Sequence, residues 1–155
     1  MNLNETDEVK FKQLSEELAS NSDVLKMKDF IQHGRITTYD HCLSVSKTAF
    51  ALAKKLHMNV NEDVLVKAGM LHDFYLYDWH KASIKVPLFQ MHGYTHAKLA
   101  SKLAIEHFNV NERIQKAIET HMWPLTLRSI PTSKEAWLIC VADKLCAVKE
   151  SIFER

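Results

Sequence analysis

Nine histidines in 155 residues are a high count, and several stand where chemistry could use them. His72 and Asp73 lie side by side in AGMLHDFYLYDW (residues 68–79), a run otherwise almost wholly apolar. Burying a carboxylate beside an imidazole costs roughly several kcal/mol unless something compensates. Read at helical spacing, His41 shares a stripe with Val45 and Ala49, and His72 stacks over Ala68 and Leu65. Asp73 falls over Gly69, which has no side chain to block close approach. His96 leads Ala100 and Leu103, His121 follows Ile114, Ala117 and Ile118, and Asp143 follows Ala136, Ile139 and Cys140. Taken singly, each has a plainer explanation as a hydrogen-bonded core histidine or a salt-bridged aspartate. Taken together, four histidines and two aspartates facing one core, with no matching buried Lys or Arg, call for a positive centre. Imidazole plus carboxylate suits Zn, Fe, Mn or Co. His57, His80 and His107 read as surface residues.

These side chains must be carried by helices. The chain has only three Gly and three Pro, and strand-like alternation is absent, which predicts an all-α domain. Helices are expected at 5–20, 23–32, 38–57, 62–76, 95–108, 111–122 and 133–150, a compact bundle of six to seven. Asn61, Thr95 and Asn111 are expected N-caps, and TSKE (Thr132 to Glu135) reads as a capping box. Residues 77–94 read as a long loop, and loops of that length are often functional. One domain is expected over 1–155, with 1–34 an N-terminal helical segment and 35–150 the metal-binding core. A net charge of +1 offers no broad footprint for nucleic acid or an anionic membrane. Cys42, Cys140 and Cys146 form no CxxC pair and read as buried reduced thiols. With no signal peptide at MNLNETDEVK and no span of ~18 apolar residues, a cytoplasmic protein is expected.

His41, the His72–Asp73 doublet and Asp143 resemble the H…HD…D signature of the HD-domain superfamily, all-helical metal-dependent phosphohydrolases. GMLHD resembles the apolar approach to the doublet, and CVADKLCA resembles the closing Asp helix. THAKLA resembles the H-P-x-x-G-A block of extra-histidine branches, and IETHMWP resembles their next histidine segment. The resemblance implies two divalent ions, drawn from Fe, Mn, Zn, Co or Ni. His41, His72 and Asp143 would complete one site, His96 and His121 the other, and Asp73 would bridge them. His92, four residues before His96, stands as an alternative ligand or a neighbour of the site. The likeness stops short of the HD-GYP branch. Leu76 stands at the Lys of H-D-I-G-K, and no GYP follows His121, so cyclic-di-GMP hydrolysis is not implied.

What the resemblance implies in function is hydrolysis of a phosphoester by a metal-activated hydroxide, with His72 and Asp73 at the catalytic centre. Two metals can lower the pKa of a shared water and stabilise in-line displacement, so no Ser or Cys nucleophile is required. The expected substrate is a small phosphorylated metabolite, nucleotides included. Arg35 resembles an arginine often found ahead of the first histidine. Lys144, beside Asp143, with Lys81 and Arg128 adds candidate phosphate contacts. Trp123, in HMWP, is the aromatic most suited to stack on a base, with Tyr77, Trp79 and Tyr94 also flanking. Two other readings stay open: an HD-fold di-iron oxygenase on the same ligand skeleton, and a non-catalytic regulatory module braced by metal. Oligomeric state is left open.

Overall fold

A computed structural model describes residues 3–76 and 92–153, without the side chains of His33, His92, Tyr94 and Phe153. Among the described residues there are seven α-helices: α1 Glu5–Ala19, α2 Ser22–Leu25, α3 Thr38–Lys55, α4 Glu62–Leu71, α5 His92–Phe108, α6 Glu112–Thr120 and α7 Lys134–Phe153. The all-α expectation holds, and the bundle contains one small addition, an antiparallel hairpin of β1 (Ile31–His33) and β2 (Ile36–Thr37).

That hairpin corrects the helix expected over 23–32. α2 tightens into a 3-10 turn at Lys26–Asp29, and Phe30 then turns extended at φ −117°, ψ 132°. Gly34 sits at φ 56°, a left-handed conformation that glycine adopts without a Cβ clash, and it turns the chain between the strands. Thr37 then caps α3 by accepting the Asp40 N–H.

Other helix starts follow from polar side chains at their first positions. Asn4, Asn21, Asn61 and Asn111 each accept an N–H from the first turn of the helix that follows. At α7 the cap is Ser133, whose Oγ accepts the Ala136 N–H at 3.1 Å, one residue later than the expected Thr132. α5 begins at His92, so Thr95 lies inside it and does not cap it. Glu135, nearly buried, accepts the Asn61 backbone N–H at 2.7 Å and Arg113 Nη2 at 3.1 Å. The starts of α4, α6 and α7 therefore meet at one carboxylate. Burial raises its pKa, but the Asn61 N–H, its own backbone N–H, the Arg113 charge and Ser133 together outweigh that and hold it below the usual glutamate value.

The core lies between α3 and α4 and is closed by α5, α6 and α7 around Val45, Ala49, Leu65, Leu71, Phe74, Ala100, Ile118 and Ile139. α3 and α4 approach most closely at Gly69. A Cβ there would fall 2.6 Å from Ser46 Cα and 2.8 Å from Ser46 Cβ, so no other residue fits without movement. α4 stops at Leu71, five residues short of expectation. Turning there lets Phe74 and Tyr75 both become fully buried, which a continuing helix would place on different faces. Among the described residues no helix is long and apolar enough to cross a membrane.

Candidate metal centre

The end of α4 explains the geometry of the doublet. His72 occupies the C-cap, where the last carbonyls of a helix lack intrahelical partners. Its Nδ1–H donates to Gly69 O at 2.8 Å. His121 does the same at the C-cap of α6, with Nδ1–H donating to Ile118 O at 2.7 Å. Each bond engages Nδ1–H and aims Nε2 inward, where a lone pair becomes available once that nitrogen carries no proton. His41, within α3, reaches the same state by another route. Its Nδ1 lies 2.7 Å from Glu150 Oε2 on α7, the hydrogen-bonded partner that metal-ligating histidines usually have.

Around these lone pairs the carboxylates arrange two clusters. His41 Nε2 lies 3.2 Å from Asp143 Oδ1 and 4.0 Å from Asp73 Oδ2. His72 Nε2 lies 3.6 Å from Asp73 Oδ2 and 3.7 Å from Asp143 Oδ1. On the other side, Asp73 Oδ1 lies 3.1 Å from His96 Nε2 and 3.5 Å from His121 Nε2, and those two nitrogens are 3.0 Å apart. Donor atoms of His41, His72 and Asp73 fall within 4.8 Å of one another, as do those of Asp73, His96 and His121. The six expected ligands are thus brought together, with Asp73 common to both groups and Asp143 joined to the first.

The donor set fits cations. With metal–ligand bonds of about 2.1 Å, neighbouring ligands of a tetrahedral or octahedral ion stand roughly 3.0–3.4 Å apart. In the His96–His121–Asp73 group two of the three separations, 3.0 and 3.1 Å, fall within that spacing and the third, 3.5 Å, lies just beyond it. His72 Nε2 and Asp73 Oδ1 are buried and make no hydrogen bond, which apolar packing alone would not tolerate. Among the described residues no Lys or Arg is buried to compensate the carboxylates.

Without a cation, protons must serve. Burial opposes charge on His41, yet the hydrogen bonds to Asp143 and Glu150 prevail and push its pKa up to about 10. His72 is likewise raised well above the imidazole range, with Asp73 the foremost cause overriding burial. Burial would raise both aspartates, but the imidazoles around them hold Asp73 and Asp143 well below the carboxylate range. His121, buried and facing His72, is pushed down to about 3. Two histidines therefore carry positive charge that the carboxylates require, while His121 stays neutral.

The remaining expected residues are placed less centrally. Lys144 Nζ donates to His121 O at 2.7 Å and to Asp143 Oδ2 at 3.3 Å, so this half-exposed cation borders the first cluster. Arg35 is exposed in the hairpin turn. Trp123 is half-buried and packs edge-on against Trp137, ring centroids 5.0 Å apart. Arg128 is exposed. His92, Tyr94, Tyr77, Trp79, His80 and Lys81 lie outside the described side chains. His107 pairs with Asp23 at 3.0 Å near the surface.

Two site residues were not legible beforehand. Glu150 sits seven residues beyond Asp143, two helical turns along the same face, and that spacing was the available signal. Gln32 Nε2 donates to Asp73 Oδ2 at 2.6 Å, and Thr38 Oγ1 and Tyr75 OH donate to Gln32 Oε1. Gln32 belongs to the hairpin that composition reads as helix, so nothing pointed it inward.

Comparison with curated proteins and with solved structures returns no match. Comparison with protein families returns the HD domain over residues 38–148. That span runs from the start of α3 to within α7, and it contains every one of the six clustered His and Asp side chains. With that match over most of its length, the chain belongs to the HD-domain family.

Proposed function

We propose that this chain is a metal-dependent phosphoric ester hydrolase acting on a nucleotide or another small phosphorylated metabolite. The carrying observation is the pair of buried donor groups that share Asp73. His41, His72, Asp73 and Asp143 would hold one divalent ion; Asp73, His96 and His121 would hold the second. Divalent ions bound there supply Lewis acidity toward a phosphoryl oxygen and an acidified water as nucleophile.

The chain's own residues do the rest. His72 and His121 hold their Nε2 lone pairs inward through fixed Nδ1 bonds to helix carbonyls. Asp73 offers one oxygen to each group and so sets their separation. Lys144 places an ammonium at the border of the site, where it can meet a phosphate oxygen while steadying Asp143. Arg35, Trp123 and His92 are proposed to contact substrate from the periphery. A serine nucleophile is disfavoured: Ser46 Oγ is committed to Val66 O at 2.9 Å, and Ser44 Oγ faces Cys146 Sγ at 3.6 Å.

The test is a metal analysis of purified protein, joined to a phosphatase screen with p-nitrophenyl phosphate and nucleotides under Mn, Fe, Co, Ni and Zn. Release of phosphate with about two ions bound is expected. Asp73→Asn should abolish turnover and strip bound metal while leaving the circular dichroism of the helices intact. Full activity in that variant, or oxygen consumption without phosphate release, would sink the hydrolase reading.

A further inference from the structure

The segment that matches the HD domain ends at residues 38 and 148, yet two buried polar side chains on the cluster come from just outside it. One is Gln32 on β1, 6% exposed; the other is Glu150 on α7, 4% exposed. Neither is aimed at solvent, and each touches one of the proposed ligands directly.

Gln32 is oriented from both ends. Its Oε1 accepts from Tyr75 OH and from Thr38 Oγ1, so the opposite end of the carboxamide must be the NH2 group. That group donates to Asp73 Oδ2 at 2.6 Å. The carboxylate of Asp73 follows the turn after α4 and is flanked by imidazoles on two sides. The hydrogen bond selects one rotation of it: Oδ2 turns toward His41 and His72, and Oδ1 is left, unbonded, to His96 and His121. A carboxylate oxygen has two lone pairs, so Oδ2 can keep the carboxamide and still meet an ion. Glu150 does a parallel task for His41. Accepting its Nδ1–H at 2.7 Å fixes the ring plane and directs Nε2 at Asp143.

Resting on the metal-centre reading above, we infer that Gln32 and Glu150 are positioning residues: Gln32 sets the bridging rotation of Asp73, and Glu150 sets the ring of His41. Gln32 governs whether two ions share one carboxylate; Glu150 governs how tightly the ion on the His41 side is held. Outer partners of this kind typically change metal affinity by about 10–100-fold. The effects are separable because they act on different ligands, although the two clusters touch through Asp73.

The experiment is Mn(II) titration of the metal-free full chain, followed by calorimetry and by electron paramagnetic resonance. Two bound ions sharing Asp73 give an exchange-coupled spectrum, a readout that general loosening of the fold would not selectively remove. Gln32→Leu deletes the donor at similar size, and Gln32→Glu keeps the shape while replacing the donor with an acceptor. Both are expected to lose the coupled spectrum while retaining single-ion binding. Glu150→Leu should weaken one of the two Mn(II) sites by about 10-fold or more, and Glu150→Gln, still an acceptor for Nδ1–H, should recover most of that loss. The near-isosteric pairs guard against a variant that fails to fold, as judged by metal-free melting. Wild-type affinity and a full coupled signal in both Leu variants would overturn the inference while leaving the metal centre standing. A wild-type chain that takes up no Mn(II), Fe(II) or Zn(II) would overturn the metal reading and this inference with it.

Discussion

At the level of single residues, the cluster solves an electrostatic problem in two alternative ways. In the ion-free chain His41 carries a proton up to about pH 10, and His72 is also raised. An incoming cation needs those same Nε2 lone pairs, so it must displace the protons. The sign follows directly. His41 is raised from 6.5, so its contribution to the stability of the metal-free chain is complete below pH 6.5 and is lost as pH climbs through about 10. Cation binding runs the other way and tightens over that same climb. Calorimetry of Mn(II) binding in buffers of different ionisation enthalpy should therefore show proton release at pH 7, shrinking toward pH 10. Uptake of protons, or affinity that falls with rising pH, would contradict this arrangement. The six inward side chains were legible because their neighbours at three and four residues are apolar. Gln32 was not, because a short hairpin strand has no helical period to betray its buried face.

At the level of elements, the close contact of α3 and α4 matters to the site as well as to packing. Gly69 both admits Ser46 and presents the carbonyl that fixes His72. Gly69→Ala would force the helices apart or bend the end of α4, and overpacking of this kind costs about 1–3 kcal/mol. The expected outcome is a lower urea midpoint together with weaker Mn(II) binding. A variant that loses stability but binds Mn(II) as before would mean that α4 keeps its end in place. The sequence marked Gly69 as a point of close approach, but assigned the approach to Asp73 rather than to Ser46 on α3. Long amphipathic helices and their asparagine caps were readable from local spacing. The ends of α4 and α2 were not, because both are set by which distant residues bury Phe74, Tyr75 and Gln32.

At the level of the whole molecule, the six candidate ligands come from five separate helices, α3, α5 and α7 directly and α4 and α6 by their ends, drawn together from residues 41 to 143. A cation that binds only when they converge stabilises the folded state by mass action, about 2.7 kcal/mol at a hundred times its dissociation constant. For a chain of this length that corresponds to a rise of roughly 5–10 °C in melting temperature. Differential scanning with and without chelator should show it, and equal curves would argue against convergence on an ion. The helical class was readable from the scarcity of Gly and Pro and the absence of strand-like alternation, and the family from the resemblance of its motifs, whereas the hydrogen-bond partners of the histidines required coordinates.

α4 and α6 both finish against the cluster, with His72 and His121 as their last caps. A helix carries partial negative charge at its carboxyl end, so two negative poles join the aspartates there. Before any cation arrives, the charges of His41 and His72 are spent on the two aspartates, and the poles leave little to draw an anion. Phosphate is therefore expected to follow the metal in a compulsory order: equilibrium dialysis with radiolabelled orthophosphate should find no retention by the chelated protein, and retention once Mn(II) is restored. Retention by the chelated protein would show that the ester needs no escort.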